Sequence, residues 1–292
     1  MAQDEVAQDE VAQDGVPLEG HWFQAGGEEP GEVPEFDVRS AHIARVYDYW
    51  LGGKDNFSVD REVGDQALEA YPGLAQSVRA NRAFLARTVR YLAAEAGVRQ
   101  FLDVGTGLPS ANNTHEVAQA AAPDARIVYV DNDPMVLAHA RALLTSTREG
   151  ACGYLHADAR DTAKIIEYAS RLLDFSRPVA VMLIAVLQFI PDAEDPWAVA
   201  RRLMEAVPAG SYLVVSHPTR DIETTQVSKF AQRYNAGAAE QATWRSQAEV
   251  ARFFGGLRVL EPGVVLVPDW RPSTPEEAAT HAALWGGVAA KD

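Results

Sequence analysis

From about residue 97 onward, short apolar runs alternate with longer amphipathic stretches. RQFLDV (99–104), ARIVYVD (125–131), CGYLHAD (152–158), PVAVMLIAV (178–186) and SYLVVSH (211–217) have the length and β-branched content of strands. Between them, THEVAQAAA (114–122), PMVLAHARALLTS (134–146), TAKIIEYASRLL (162–173) and PWAVARRLMEAV (196–207) space their apolar residues as helices do. Strand and helix in alternation predict βαβ units, a parallel sheet and right-handed crossovers. Near the C-terminus GLRVLEP (256–262) and HAALWGGVAA (281–290) predict two further strands, an antiparallel pair on the sheet. Within the long segment VPDWRPSTPEEA (267–278) between them, the proline-bounded VPDWRP (267–272) reads as a lid loop.

Ahead of the alternation the period is helical. SAHIARVYDYWLGG (40–53) predicts a helix with Ser40 as N-cap and Gly52-Gly53 as its stop. SVDREVGDQALEAYPG (58–73) predicts a second. LAQSVRANRAFLARTVRYLAAEAG (74–97) predicts a third, with Leu74, Val78, Phe84, Leu85, Val89 and Leu92 on its apolar face. Residues 39–96 thus form a helical cap and 97–292 the α/β core. Residues 1–38 differ in kind: AQDEV, AQDEV and AQDGV follow one another from residue 2 to 16, a period that neither helix nor strand uses. So polar a segment cannot repay its ordering entropy and is expected to be a disordered acidic tail.

Charge sharpens this division. The chain of 292 residues carries a net charge of −15, and residues 1–40, with eleven acids and one base, hold −10 of it. The remaining −5 shows no basic stripe, which argues against a nucleic-acid partner. A run of 18 or more apolar residues, the mark of a membrane span, is missing, and the start has no apolar stretch of the signal-peptide kind. Cys152 is the one cysteine, which excludes an internal disulfide and a cysteine-cluster metal site. The expected location is the cytoplasm.

The candidate chemistry begins at FLDVGTGLPS (101–110), an apolar run that meets an acid and opens into glycines. In a doubly wound sheet, ligands bind outside the carboxyl ends of the strands. The dinucleotide pattern G-x-G-x-x-G is broken by Ser110, and no phosphate-binding G-x-x-x-x-G-K-[ST] is present. Three successive strands each end near an aspartate: Asp103, Asp131 and Asp158. Asp131 is placed to accept ribose hydroxyls, and Asp158 an adenine amino group. Asp103 beside the glycine turn would repel the phosphates of NAD or ATP. It favours the ammonium of S-adenosylmethionine, which has no phosphate and carries a sulfonium as well.

These motifs also carry a resemblance. FLDVGTG, VYVDNDP and HADARD resemble the first three motifs of class I S-adenosylmethionine-dependent methyltransferases. ARVYDYWLGGKDNFSVDR, ANRAFL, RQFLDVGTGLPS and VYVDNDPMVLAHARALL resemble a bacterial methyltransferase family long carried as a domain of unknown function. The resemblance spans about residues 40–290 and leaves the repetitive tail outside. It implies an α/β, Rossmann-like, doubly wound and mostly parallel sheet of seven strands with an antiparallel last strand. It also implies cofactor contacts from Gly105, Gly107, Asp131 and Asp158, which extend along the same edge to Thr106, Asn132 and Ala159. It supplies no acceptor.

The helix before the first strand runs antiparallel to it, so its early residues Arg79, Asn81 and Arg82 lie near the cofactor. Arg82 is the expected partner of the methionine carboxylate. On the acceptor side the candidates are Tyr47 and Asp48 in the first helix, Gln188 after the fourth strand and His217, a candidate base, after the fifth. Tyr47, Tyr49, Trp50, Asn56, Phe57, Tyr234, Trp244 and Trp270 are candidates to line a pocket for an apolar or planar small molecule. His115 falls in the first turn of a helix capped by Asn113 and Glu116, and no chemistry is assigned to it. The rival readings are a non-catalytic cofactor-binding module and a nicotinamide-dependent oxidoreductase.

Overall fold

The computed structural model describes residues 38–143, 145–222, 224–237 and 240–292. Apart from Val38, the expected acidic tail lies outside them. Three helices lead, α1 (Ile43–Leu51), α2 (Ser58–Ala70) and α3 (Leu74–Ala94). The alternation follows as β1 (Gln100–Val104), α4 (Thr114–Ala121), β2 (Arg126–Asp131), α5 (Pro134–Leu143), β3 (Ala151–His156), α6 (Thr162–Ala169), β4 (Ala180–Ile184), α7 (Pro196–Glu205) and β5 (Tyr212–Pro218). The chain ends with α8 (Thr224–Gly237), α9 (Gln247–Ala251), β6 (Arg258–Val259), β7 (Val265–Leu266), α10 (Pro275–Ala278) and β8 (Leu284–Ala290).

The sheet runs β3-β2-β1-β4-β5-β8-β6, with β7 pairing β8 off this path. Strands β1 to β5 are parallel to their neighbours, and β8 is antiparallel to β5, β6 and β7. The mostly parallel Rossmann-like architecture therefore stands as expected. Its C-terminal edge holds one more short strand than the sequence predicts, because β6 and β7 each pair two residues with a different part of β8. The order reverses between β1 and β4, which is the switch point of the sheet.

Both faces of the sheet are covered, so its strands read as continuous apolar runs. Phe101, Ile127, Met182 and Val214 pack on one face against Phe84 and Val89 of α3 and Ala118 of α4. Leu102, Val128, Val181 and Leu213 pack on the other against Ile165 of α6 and Leu203 of α7. A third cluster joins Val46, Trp50, Tyr71 and Val78 of the N-terminal helices to Val227, Phe230 and Tyr234 of α8. Helix α8 has no counterpart in the sequence-based expectation.

Two expectations are corrected here. The N-cap of α1 is His42, not Ser40, because the chain is still extended at His42 (φ −117°, ψ 139°). Segment 267–272 is no lid: Trp270 is fully buried against Phe84 and Tyr91. Arg87 of α3 fixes it there, donating to the carbonyls of Val267 (2.6 Å) and Trp270 (3.1 Å) and pairing with Glu277.

The cap hangs on one carboxylate. Asp60, fully buried, accepts from the backbone N–H of His42 (3.0 Å), from Arg45 Nε (2.9 Å) and from the N–H of Phe57 (2.8 Å). One side chain thereby starts α2, holds the entry of α1 and neutralises a buried guanidinium. Removing it leaves Arg45 buried without that partner, which typically costs about 3–5 kcal/mol. Asp60→Ala is expected to lose stability of that order in denaturant unfolding, with amide exchange accelerated first in residues 43–70. Unchanged exchange there would show that the cap is held by its apolar contacts alone.

Candidate functional site

The carboxyl ends of β1, β2, β3 and β4 open into one cavity of ≈ 480 Å³, roofed by α1 and by residues 240–243. That lies within the range of about 300–1,000 Å³ usual for small-molecule sites. After β1 the chain turns through Gly105 (φ +77°) and Gly107 (φ +65°), both left-handed, where glycine alone is unstrained. A Cβ on Gly105 would also come within 2.4 Å of Val186 beyond β4, so the two strand ends touch at the switch point.

The acids reach this edge as the sequence predicts. Asp103 is buried on the cavity wall and accepts from Thr114 Oγ1 (2.6 Å). Burial pushes its carboxyl up to about 6, against the opposing pull of the Thr114 hydrogen bond and the Arg82 charge. Asp131 accepts from the N–H of Gly107 (2.8 Å) and of Asp133 (3.0 Å), tying the glycine turn to the end of β2. Burial raises its carboxyl as well. Asp158 faces the same cavity, but Arg160 holds both of its oxygens, at 2.8 and 2.5 Å, and reaches on to Glu194 (2.7 Å). The Arg160 hydrogen bond lowers the Asp158 carboxyl. Thr106, Asn132 and Ala159 complete these three loops on the cavity wall.

Helix α3 presents Arg82 and Asn81 at the β1 end, whereas Arg79 points to solvent. Arg82 Nη2 donates to the carbonyls of Ala111 and Asn112 and to Asn113 Oδ1, at 3.2 to 3.4 Å. Its Nε, and Oδ1 of Asn81, are buried with no hydrogen-bond partner among the described residues. Two polar atoms of opposite sense thus lie unused beside a carboxyl that has no ion-pair contact among the described residues.

Three lining residues escape the sequence-based reading. His42 Nδ1 lies 2.9 Å from Asp133 Oδ2 and 3.3 Å from the N–H of Ala44. Nδ1 accepts from the Ala44 N–H as the cap of α1 and lies within ion-pair range of the Asp133 carboxylate. Desolvation pulls this imidazole down, yet the Asp133 carboxylate outweighs it, and the net shift is upward. His42 so pins the start of α1 to the loop after β2. Glu240 receives Asn132 Nδ2 (3.1 Å) across the cavity mouth. Arg160, next to Ala159 in HADARD, is the third, and its proximity to Asp158 in sequence was the available signal.

Acceptor-side candidates divide. Tyr47 stands on the cavity wall and receives Asn81 Nδ2 at 3.1 Å. Gln188 lines a smaller apolar chamber next door, together with Trp50, Tyr234 and Trp244. Asp48 does not take part: it accepts from the N–H of Asp55 and from Asn56 Nδ2, both at 2.9 Å, and fixes the turn after α1. Tyr49 faces Asp65 (2.6 Å), Phe57 is exposed under Arg45, and Trp270 lies in the core. His217 is corrected from candidate base to structural residue. It is fully buried, off both cavity walls, with Nδ1 against the Pro218 carbonyl (2.9 Å) and Nε2 receiving Arg245 (2.7 Å). Burial, reinforced by the Arg245 charge, holds it down at about 3, so it is neutral and a poor base near neutrality. His115 is likewise buried, its N–H and ring on the Tyr129 hydroxyl.

Known proteins resemble this chain over most of its length. A profile of the S-adenosyl methyltransferase family matches residues 30–292. The crystal structure of a DUF574 family protein from Streptomyces avermitilis is similar, with 44% identity, a TM-score of 0.85, and 88% of this chain and 99% of that one covered. A candidate methyltransferase from Thermobifida fusca is similar at 42% identity and a TM-score of 0.81, with 89% and 98% covered. No curated protein matches. With nearly all of the resolved fold inside that match, the chain belongs to the S-adenosyl methyltransferase family.

Proposed function

We propose that the large cavity holds S-adenosylmethionine across the switch point and that the enzyme methylates a small-molecule acceptor in the cytoplasm. The observation that carries the residue assignment is Asp103, a buried carboxylate on the cavity wall, which favours an ammonium beside it over a phosphate. The free Nε of Arg82 is placed for the methionine carboxylate, with Asn81 beside it. Gly105, Thr106 and Gly107 leave room for the chain of the cofactor. Asp131 keeps lone pairs for the ribose hydroxyls, and Asn132 flanks it. Asp158, with its partner Arg160, and Ala159 frame the adenine.

S-adenosylmethionine supplies a sulfonium-borne methyl group for in-line displacement. The chain's contribution is to hold the acceptor about 3 Å from that carbon and to exclude water. Tyr47 stands where cofactor cavity and chamber meet, and Gln188 lies within the chamber; both are positioning groups in this reading. We assign residues 39–96 to the cap and 97–292 to the catalytic core, with the acidic segment 1–38 outside the reaction. Among the described residues no helix is long and apolar enough to cross a membrane.

Two outcomes are expected. Asp131→Ala removes charge-assisted hydrogen bonds worth about 1.5–3 kcal/mol, so calorimetry should show S-adenosylhomocysteine binding roughly 10- to 150-fold more weakly. Unchanged affinity would remove Asp131 from the site. The second concerns pH. The ammonium needs Asp103 ionised, and the free protein's carboxyl titrates at about 6. Affinity should therefore be full above that value and fall as the pH is lowered through it, by up to about tenfold per pH unit. Asp103→Asn should bind more weakly at neutral pH and lose this dependence; a variant that kept the slope would locate the titrating group elsewhere.

A further inference from the structure

The chamber beside the cofactor cavity has a chemistry of its own. Its volume is ≈ 100 Å³, and it lies between α1, α3, α8 and the turn after β4. It shares Ile43, Tyr47, Ala185, Phe189 and Ala242 with the larger cavity, so the two are continuous. Among the described residues its wall contains no Asp, Glu, His, Lys or Arg. The titratable groups on it are tyrosines, and burial raises the hydroxyls of both Tyr47 and Tyr234, which stay protonated at neutral pH. A charged occupant would find no counter-ion there, and a hydroxyl or thiol acceptor would find no base. An engineered apolar cavity of about 150 Å³ takes up benzene, so this space suits a single ring with the rest of the molecule directed outward.

The chamber also holds a directional feature. Gln188 is buried, and its Nε2 donates to the Ala185 carbonyl at 2.6 Å. That bond fixes the amide, because a flipped amide would set oxygen against oxygen. Its Oε1 is left buried with no partner among the described residues. Ala185 itself is left-handed (φ +50°), a strained backbone at the point where both cavities meet. A buried acceptor without a donor costs stability unless a ligand supplies the donor. Ser77 and Tyr71 on the same wall already bond to each other, at 3.2 Å, and the Tyr234 hydroxyl is a second buried polar group there with no partner among the described residues.

We propose that this chamber receives the methyl acceptor as a neutral, single-ring aromatic amine whose N–H donates to Gln188 Oε1 while its lone pair faces the cofactor cavity. The proposal rests on the cofactor reading above. In the reaction the nitrogen lone pair forms the new N–C bond as the C–S bonding pair returns to sulfur. The resulting N-methylammonium then gives its proton to water, so no protein base is required.

The test uses the full-length protein with three single-ring probes: aniline, phenol and benzoate. Calorimetry with S-adenosylhomocysteine comes first, on wild type, Gln188→Leu and Val227→Phe, the last a chamber-filling change away from the cofactor cavity. Loss of that binding in the wild type would sink the cofactor reading, whatever the probes do. With binding intact, ligand-observed NMR on the S-adenosylhomocysteine complex should show aniline bound and benzoate excluded. Gln188→Leu should weaken aniline by about tenfold, and Val227→Phe should abolish it, both with S-adenosylhomocysteine affinity kept. If Val227→Phe fails to fold, Gln188→Leu decides alone. With S-adenosylmethionine, mass spectrometry should find methyl transfer to aniline and not to phenol. Transfer to phenol in preference, transfer to neither, tighter binding of benzoate, or an unmoved aniline affinity in Gln188→Leu would each overturn the proposal while leaving the cofactor site standing.

Discussion

A carboxylate buried at the end of the central strand governs this site. Asp103 cannot move away from the cavity, because β1 is hydrogen-bonded to β2 on one side and β4 on the other. Thr114 gives it a single short hydrogen bond, and burial keeps its carboxyl near 6. A group so held favours a ligand that brings a positive charge and disfavours one that brings phosphate. Arg82, a few ångströms further along the same wall, offers the opposite charge with an unused Nε. In the proposed reading the pair serves the two ends of an amino acid, which separates S-adenosylmethionine from the phosphorylated nucleotides that similar sheets bind.

The rest of the molecule serves to cover that edge. Sheet strands deliver the acids, but a cavity also needs a roof, and α1 supplies it. Asp60 anchors the helix to α2, and His42 anchors its start to Asp133 beyond β2. Tyr47, one turn further on, then lies over the switch point. Helix α8 packs its aromatic face against Trp50 and Tyr71, which extends the cavity into the uncharged chamber. Cofactor cavity and chamber thus differ in chemistry because they are lined by different parts of the chain, acidic strand ends for one and aromatic helix faces for the other.

Much of this was legible in residue order. The five parallel strands are bounded by clear turns, and a parallel sheet must present their C-terminal residues on one edge, so Asp103, Asp131 and Asp158 fell into place together. What escaped depended on partners distant in sequence. His217 looks like a base until Arg245, 28 residues on, is seen donating to its Nε2. Trp270 looks like part of a lid until Arg87, 183 residues earlier, is seen holding its carbonyl. Helix α8 did carry a local signal, Val227, Phe230 and Tyr234 at helical spacing, and its omission hid the far wall of the chamber. Gln188 follows the fourth strand as the sequence reads, but its unpaired Oε1 lies beside the strained turn at Ala185, which no local pattern announces.

Asp103, in the proposed reading, is a buried carboxylate made for a cation. The most direct measurement is a carbon-13 NMR titration of the Asp103 carboxyl in the free protein and again with S-adenosylhomocysteine bound. The account predicts a midpoint of about 6 in the free protein, displaced clearly downward when the ligand's ammonium arrives. A midpoint at the ordinary aspartate value, or one that the ligand leaves in place, would contradict it.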